Sequence, residues 1–276
     1  MTGQPAAGAA AQYAVGGVRE RIESALRAAG KDLDALSPAD LASGLTSFEH
    51  FHSLGRIATT ALLEAAHVTA TDRVLDAGSS IGGTSRLLAA EHGCRVTAID
   101  LTAEYCDIAR WLNGLVQLDD RIEVLQGDVT DLPLQDCSFD LVVSQHVQMN
   151  VADKSGLYSE AHRVLRPDGR LALWDVAAGP EQPLAFPLPW ADTPERSHLV
   201  TPDELAAALR ASGFTLEVWN DLTEFAIAAM TPILEAPADP LGLQLLVPDI
   251  ETKLRNLLQN ARGDRLRLIQ AVARAT

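Results

Sequence analysis

Val74-Leu75-Asp76-Ala77-Gly78-Ser79-Ser80-Ile81-Gly82-Gly83 puts a carboxylate at the end of an apolar run, then small residues, then a helix start at Thr84-Ser85-Arg86-Leu87-Leu88. Small side chains let a ligand lie against bare backbone amides, and a helix N-terminus adds partial positive charge. Asp100 closes the next apolar run, Arg95-Val96-Thr97-Ala98-Ile99, where a carboxylate can reach a ribose diol. These groups suit a nucleoside-containing cofactor lying across the carboxyl edge of a parallel sheet. A dinucleotide fold also uses a glycine turn and a later acidic residue. Asp76 separates the two cases, because a carboxylate just ahead of the turn repels a pyrophosphate and tolerates a cationic amine or sulfonium.

Three later segments extend the pattern. Gln126-Gly127-Asp128-Val129 closes a third strand, and Phe139-Asp140-Leu141-Val142-Val143-Ser144-Gln145-His146 is a fourth strand running into a polar loop. Arg163 to Arg170 reads as a helix and turn leading into a fifth strand, Leu171-Ala172-Leu173-Trp174-Asp175. Alone, Asp100 reads as a solvated strand end, and Asp128 beside Gly127 as a turn. In this order, over residues 71–176, the segments resemble the class I S-adenosylmethionine-dependent methyltransferases, whose first motif is acidic-x-Gly-x-Gly-x-Gly. Asp76, Gly78 and Gly82 match it, and Ser80 replaces the middle glycine. If that position needs positive φ, serine costs about 1–2 kcal/mol there. The resemblance implies an α/β, Rossmann-like fold with a seven-stranded, mostly parallel sheet and helical lid additions. It also implies S-adenosyl-L-methionine as cofactor, held by Asp76, Ala77, Gly78, Ser79, Ser80 and Gly82. Asp100 and Leu101 would take the ribose, Asp128 and Val129 the adenine, and Ser144 and Gln145 would close the site.

Methyl transfer is an in-line displacement, so such a site must align the nucleophile, exclude water and, for some acceptors, take a proton. The loop Ser144-Gln145-His146-Val147-Gln148-Met149-Asn150 stands where the acceptor must approach. In the phosphoethanolamine branch the comparable loop is similar to Ser-Arg-Asp-x-x-Leu-His. Here His146 takes the Asp position and Asn150 the His position, while Tyr13 falls in a context similar to that branch's N-terminal tyrosine. Losing the carboxylate argues against a cationic amine such as phosphoethanolamine. His146, whose ordinary pKa suits proton transfer near neutrality, and Tyr13 are the candidate catalytic residues. His50, His52, Gln148, Met149, Asn150 and Trp190 are the candidate substrate contacts. The plainer alternatives are a loop histidine satisfied by backbone and a tyrosine packed under the first helix. His50-Phe51-His52 has metal-like spacing but no third ligand in reach, and Asp175 stands alone, so no metal is expected.

The chain has 276 residues, 47% hydrophobic, enough for one sizeable α/β domain with additions. A net charge of −15 argues against nucleic acid or an anionic membrane surface as partner, leaving a small-molecule substrate and, at most, a second copy in a homodimer. Cys94, Cys106 and Cys137 are isolated, residues 1–11 lack the pattern of a secretory signal, and no run of about 18 apolar residues exists, so a cytoplasmic protein is expected.

Residues 1–11 read as a tail and 12–70 as a helical cap. That cap carries stripes at Val15, Val18, Ile22, Ala25, Leu26 and Ala29, and at Leu54, Ile57, Ala58, Ala61, Leu62 and Ala65. Ser37-Pro38-Ala39-Asp40 is a helix start. The core spans 71–221, and helices interrupted at Pro232 and Pro237 form a lid over 222–264. A last strand takes 265–276. A helical insertion before that strand resembles the subgroup that methylates sarcosine, dimethylglycine, phosphoethanolamine, tocopherol precursors and quinones. The function implied is transfer of a methyl group to a small molecule, with N, O, C or S open as acceptor. The alternatives are a protein of this fold that binds the cofactor without methyl transfer, and a nicotinamide-dependent oxidoreductase.

Overall fold

A computed structural model of the chain describes residues 13, 15–37, 40 and 47–276. Seven strands form one sheet in the order β3-β2-β1-β4-β5-β7-β6. They are β1 Arg73–Ala77, β2 Arg95–Asp100, β3 Ile122–Gln126, β4 Phe139–Gln145, β5 Leu165–Ala178, β6 Phe214–Asp221 and β7 Leu266–Ala275. β1 to β5 pair in parallel, while β7 lies antiparallel between β5 and β6. The chain leaves β1 for β2 on one side and later returns to β4 on the other. That switch opens a crevice at the carboxyl ends of β1 and β4, where ligands bind in open α/β sheets.

The alternation along each strand sorts side chains onto two covered faces, as a parallel sheet buried on both sides requires. Val74, Val96, Leu141, Val143 and Val272 meet Leu62 and Leu63 of α2 (Gly55–Ala65) and Leu257 and Leu258 of α8 (Ile250–Arg262). Leu75, Ile99, Val142, Leu173 and Ile269 meet Leu157 of α5 (Lys154–Val164) and Leu205 and Leu209 of α6 (Pro202–Ala211). α3 (Gly83–Glu91) follows β1, α4 (Ala103–Leu115) follows β2, and α7 (Thr223–Glu235) stands between β6 and β7. A third cluster joins Val18, Ile22 and Leu26 of α1 (Val18–Ala28) to Ile108 and Leu112 of α4 and to Leu246 and Ile250 of the insertion. α1 therefore packs against both α4 and the segment between α7 and α8. Arg21 Nε donates to Leu245 O at 3.0 Å, and Glu104 accepts from Gly16 N and Val18 N, each at 3.1 Å.

Several elements differ from what the sequence suggests. β5 begins directly at the end of α5: Leu165 already pairs with Phe139, a register shift follows, and Leu141 pairs with Arg170. Asp168, with φ of 64°, makes the turn inside that irregular stretch. In α2 the buried face is Ala58, Thr59, Leu62 and Leu63, and Ile57 is 56% exposed. The face turns because the Thr59 hydroxyl has polar partners inside. Pro232, expected to interrupt, lies in the last turn of α7, which runs on to Glu235. The missing N–H forfeits one bond, to the carbonyl four residues back, and the helix continues for only three residues beyond it. The capping box at Thr201 and Glu204 is present as expected. The tail 1–11 and Pro38-Ala39 lie outside the described residues. Among the described residues no helix is long and apolar enough to cross a membrane.

Arg86 of α3 is buried and ion-paired to Glu49, its Nε donating to Glu49 Oε1 at 2.7 Å, its Nη1 to Ile81 O at 2.8 Å and to Asn113 Oδ1 at 3.1 Å. This pair ties the segment before α2 to the glycine turn. Removing one member of a buried pair strands the other charge, at a cost of about 3–5 kcal/mol. Glu49→Ala is expected to lose that much in denaturant unfolding. Glu23→Ala, which breaks only the exposed pair with Arg27, is expected to change stability by less than about 1 kcal/mol.

Candidate active site

Asp76 is the fourth residue of β1 and is buried, with Ser85 Oγ donating to its Oδ2 at 2.6 Å. Burial pushes its pKa up to about 6. The turn then passes through the left-handed region three times, at Gly78 (φ 79°), Ser80 (φ 50°) and Gly82 (φ 84°). A Cβ at Gly78 would sit 2.4 Å from a methyl of Val147, so the turn admits no side chain there. Ser80 does need positive φ, and it is held by Asp100: Ser80 N donates to Asp100 Oδ2 at 2.8 Å and Thr102 N to Oδ1 at 2.8 Å. The carboxylate has acceptor positions beyond these two backbone bonds, and burial pushes its pKa up. Asp128 is braced in the same way, its Oδ1 accepting from Thr130 N and Thr130 Oγ1, both at 2.8 Å.

A cavity of about 700 Å³ runs along this edge. Gly78, Ser80, Asp100, Leu101, Asp128 and Val129 line one half, and Tyr13, His52, His146, Met149, Asn150 and Trp190 line the other, with Gln145 between. Asp76, Ala77, Ser79, Gly82, Ser144 and His50 do not line it and lie beneath or beside its wall. The hydroxyls of Ser79, Ser80 and Ser144 are buried without a partner. Bare left-handed backbone, strand-end carboxylates and orphaned hydroxyls fit an adenosyl cofactor.

Gln148 requires a correction as a substrate contact. It is fully buried and its amide donates to Val176 O, so it holds the loop and not a ligand. Tyr13 donates to Asn150 Oδ1 at 3.2 Å and stands edge-on to Phe51, with ring centres 5.9 Å apart. Burial raises the pKa of Tyr13 and keeps it a neutral donor. Trp190 is buried, its indole N–H donating to Ser197 Oγ at 3.0 Å.

His146 sits at positive φ (55°), with its N–H donating to Trp174 O at 2.8 Å, its Nε2 2.9 Å from Ser53 Oγ, and its ring stacked on Trp174. The sequence expectation of a pKa near neutrality does not hold: burial, with His52 nearby, keeps it well below the usual histidine range. His146 is therefore a neutral imidazole across the physiological range. His52 Nδ1 donates to Ser53 O at 3.2 Å, which leaves Nε2 to accept from Thr59 Oγ1 at 3.0 Å. Thr59 in turn accepts from Gln145 Nε2 at 3.2 Å, and Gln145 Oε1 accepts from Thr84 Oγ1 at 2.8 Å. The His-x-His segment thus belongs to a hydrogen-bonded chain ending at the glycine-turn helix. Among the described residues no three His, Cys, Asp or Glu side chains group as a metal site.

Asp175 was set aside in the sequence as a lone acid, and it has a structural part in the site. Fully buried within the C-terminal part of β5, where the strand passes the loop after β4, it accepts from Val147 N at 2.9 Å, Gln148 N at 3.0 Å and Val176 N at 2.9 Å. It clamps the loop that carries His146, and burial pushes its pKa up to about 6. An acid in the C-terminal part of an otherwise apolar strand, as Asp76 and Asp100 are, was the available signal.

A seven-stranded sheet in this order, with a left-handed turn after β1 and acids ending β1 and β2, is a Rossmann-like class I methyltransferase architecture. Residues 75–173 match a family model described as a methyltransferase domain. The sarcosine/dimethylglycine N-methyltransferase of Halorhodospira halochloris is 33% identical over 150 residues, 54% of each chain. Among solved structures, geranyl diphosphate C-methyltransferase from Streptomyces coelicolor A3(2) has a TM-score of 0.65 at 20% identity, covering 81% of this chain and 79% of that one. The [4+2]-cyclase SpnF has a TM-score of 0.65 at 20% identity, covering 86% and 90%. Residues 75–173 thus match a methyltransferase domain, and the sheet around them has the Rossmann-like class I methyltransferase fold. The chain spans about half the length of the first curated relative, and the two structural likenesses carry the fold alone.

The buried histidines give the site a pH signature. Burial, with His52, Arg86 and Arg56 nearby, lowers the pKa of His50 to about 2, while the unfolded chain titrates near 6.5. The unfolded state therefore binds the extra proton between those values, and the stability present above pH 6.5 is lost as pH falls. Relative to His50→Gln, the parent is expected to lose on the order of 2 kcal/mol between pH 7 and pH 5 in urea unfolding. Parallel curves for the two proteins would show that His50 titrates normally in the fold.

Proposed function

We propose that the chain transfers a methyl group from S-adenosylmethionine to a hydroxyl oxygen of a small molecule held in the second half of the cavity. The observation that carries this is the continuity of the cavity: the wall of glycine turn, Asp100 and Asp128 runs directly into the wall of His146, Tyr13 and Asn150. When bound, S-adenosylmethionine supplies an electrophilic methyl group on a sulfonium. The chain's own residues then have three tasks. Asp100 and Asp128 hold the adenosine through acceptor positions beyond their backbone bonds. Tyr13 and Asn150, bonded to each other, fix one wall beside the acceptor. Neutral His146 accepts on Nδ1 the proton that the hydroxyl loses, in the tautomer whose Nε2–H donates to Ser53 Oγ and with its ring stacked on Trp174.

Amine methylation is the chemistry in the name of the Halorhodospira relative. The second half of this cavity favours oxygen instead, because the polar groups around His146 are neutral and the carboxylate that lines it after the loop, Asp153, is engaged as the cap of α5. The role of His146 gives a direct test. His146→Ala is expected to lower turnover about 10²–10⁴-fold while affinity for S-adenosylhomocysteine stays near that of the parent. His146 is expected to give the parental rate no acid limb near pH 6.5, since burial keeps it neutral there, and any fall near pH 6 as Asp76 and Asp175 protonate is expected to persist in the variant. Unchanged turnover in the variant would make the histidine scaffold only.

A further inference from the structure

We infer that the acceptor half of the cavity takes an uncharged, largely apolar or aromatic molecule and rejects carboxylates and phosphates. This rests on the cavity being the methyl-acceptor site and goes further, to the class of molecule that fits. The wall there is Phe51, Met149, Pro189, Trp190, Leu254 and Leu257, and its polar groups are the neutral His52, His146, Tyr13 and Asn150. Among the described residues, no lysine or arginine lines the cavity, and its only charged lining residues are Asp100, Asp128 and Asp153. The residues outside the described set, 1–12, 14, 38–39 and 41–46, contain no lysine or arginine in sequence.

Cations close to this wall are already committed. Lys154, one residue from lining Asp153, donates to the carbonyls of Gln148, Val151 and His198. Lys253, next to lining Leu254, is buried and ion-paired to Asp192 at 2.8 Å. Arg86 is held by Glu49, Ile81 and Asn113. The helix N-terminus nearest the loop is also filled, because Asp153 caps α5 by accepting from Gly156 N at 2.9 Å. An ionised carboxylate or phosphate entering here would leave water without gaining a charge partner, and would face acids along the same cavity. A neutral aromatic loses no such hydration and meets matching surface.

Three probes that share a naphthyl ring test this: 2-naphthol, 2-naphthoate and 2-naphthyl phosphate, in equilibrium dialysis against the full chain with and without S-adenosylhomocysteine. 2-Naphthol is expected to bind at least tenfold more tightly than either anion. Equal binding of the three, tighter binding of an anion, or binding of none overturns the inference. Asp192→Asn releases Lys253 from an ion pair whose acid is largely exposed, and is expected to tighten 2-naphthoate binding severalfold with little effect on 2-naphthol. Unchanged 2-naphthoate affinity overturns the claim that anions are rejected because the nearby cations are already paired. Binding of S-adenosylhomocysteine, read separately, keeps the two claims apart. A chain that binds it yet prefers an anion overturns only the acceptor class. A chain that does not bind it overturns the methyl-transfer proposal, and the three probes still report on the free cavity.

Discussion

Buried and half-buried acids in the C-terminal parts of parallel strands, each bonded to backbone N–H groups or a hydroxyl of a neighbouring turn, loop or helix, hold this site open. Asp100 fixes Ser80 and Thr102, Asp175 fixes Val147, Gln148 and Val176, and Asp76 holds Ser85. A buried N–H without a partner is costly, so a carboxylate with several acceptor positions can specify the path of a whole turn. It also offsets the strain of Ser80 and His146, two non-glycine residues at positive φ. Burial raises the pKa of all three acids, the electrostatic cost of placing them there.

The same constraint couples the two halves of the cavity. Val147 presses against Gly78, where a Cβ would have 2.4 Å of room, so the loop clamped by Asp175 forms the outer limit of the cofactor turn. From the other side, Ser53 reaches His146, while Thr59 links His52 to Gln145. α2 and the segment before it therefore set the position of the acceptor loop, and the buried Glu49–Arg86 pair fixes that segment to α3. Leu243, before α8, and Leu254 and Leu257 of α8 add apolar wall to the chamber.

Much of this is legible in the amino-acid order, for identifiable reasons. Strand ends and the glycine turn are local, so Asp76, Gly78, Asp100 and Asp128 can be read from neighbours, and the order of elements gives the sheet. The Tyr13–Asn150 bond spans 137 positions, and it became readable only through the resemblance that placed both residues at one site. The role of Asp175 is not local, because its partners lie in the loop after β4. Burial also defeats residue type as a guide: His146 looks like a group poised near neutrality, and its enclosure keeps it neutral far below that. Gln148 looks like a ligand contact, but its buried amide lies against Val176. The face of α2 was misread at Ile57 because a threonine with hydrogen-bond partners took an inward place.

Calorimetric titration of the chain with S-adenosylhomocysteine and with NADH, repeated on Asp100→Ala, tests the central claim most directly. The strand-end carboxylates are expected to favour the adenosyl ligand over the pyrophosphate one. Loss of the Asp100 carboxylate is expected to weaken S-adenosylhomocysteine binding by roughly 1.5–3 kcal/mol, the range for a charged hydrogen bond. Tighter binding of NADH, or equal S-adenosylhomocysteine affinity in parent and variant, would contradict it.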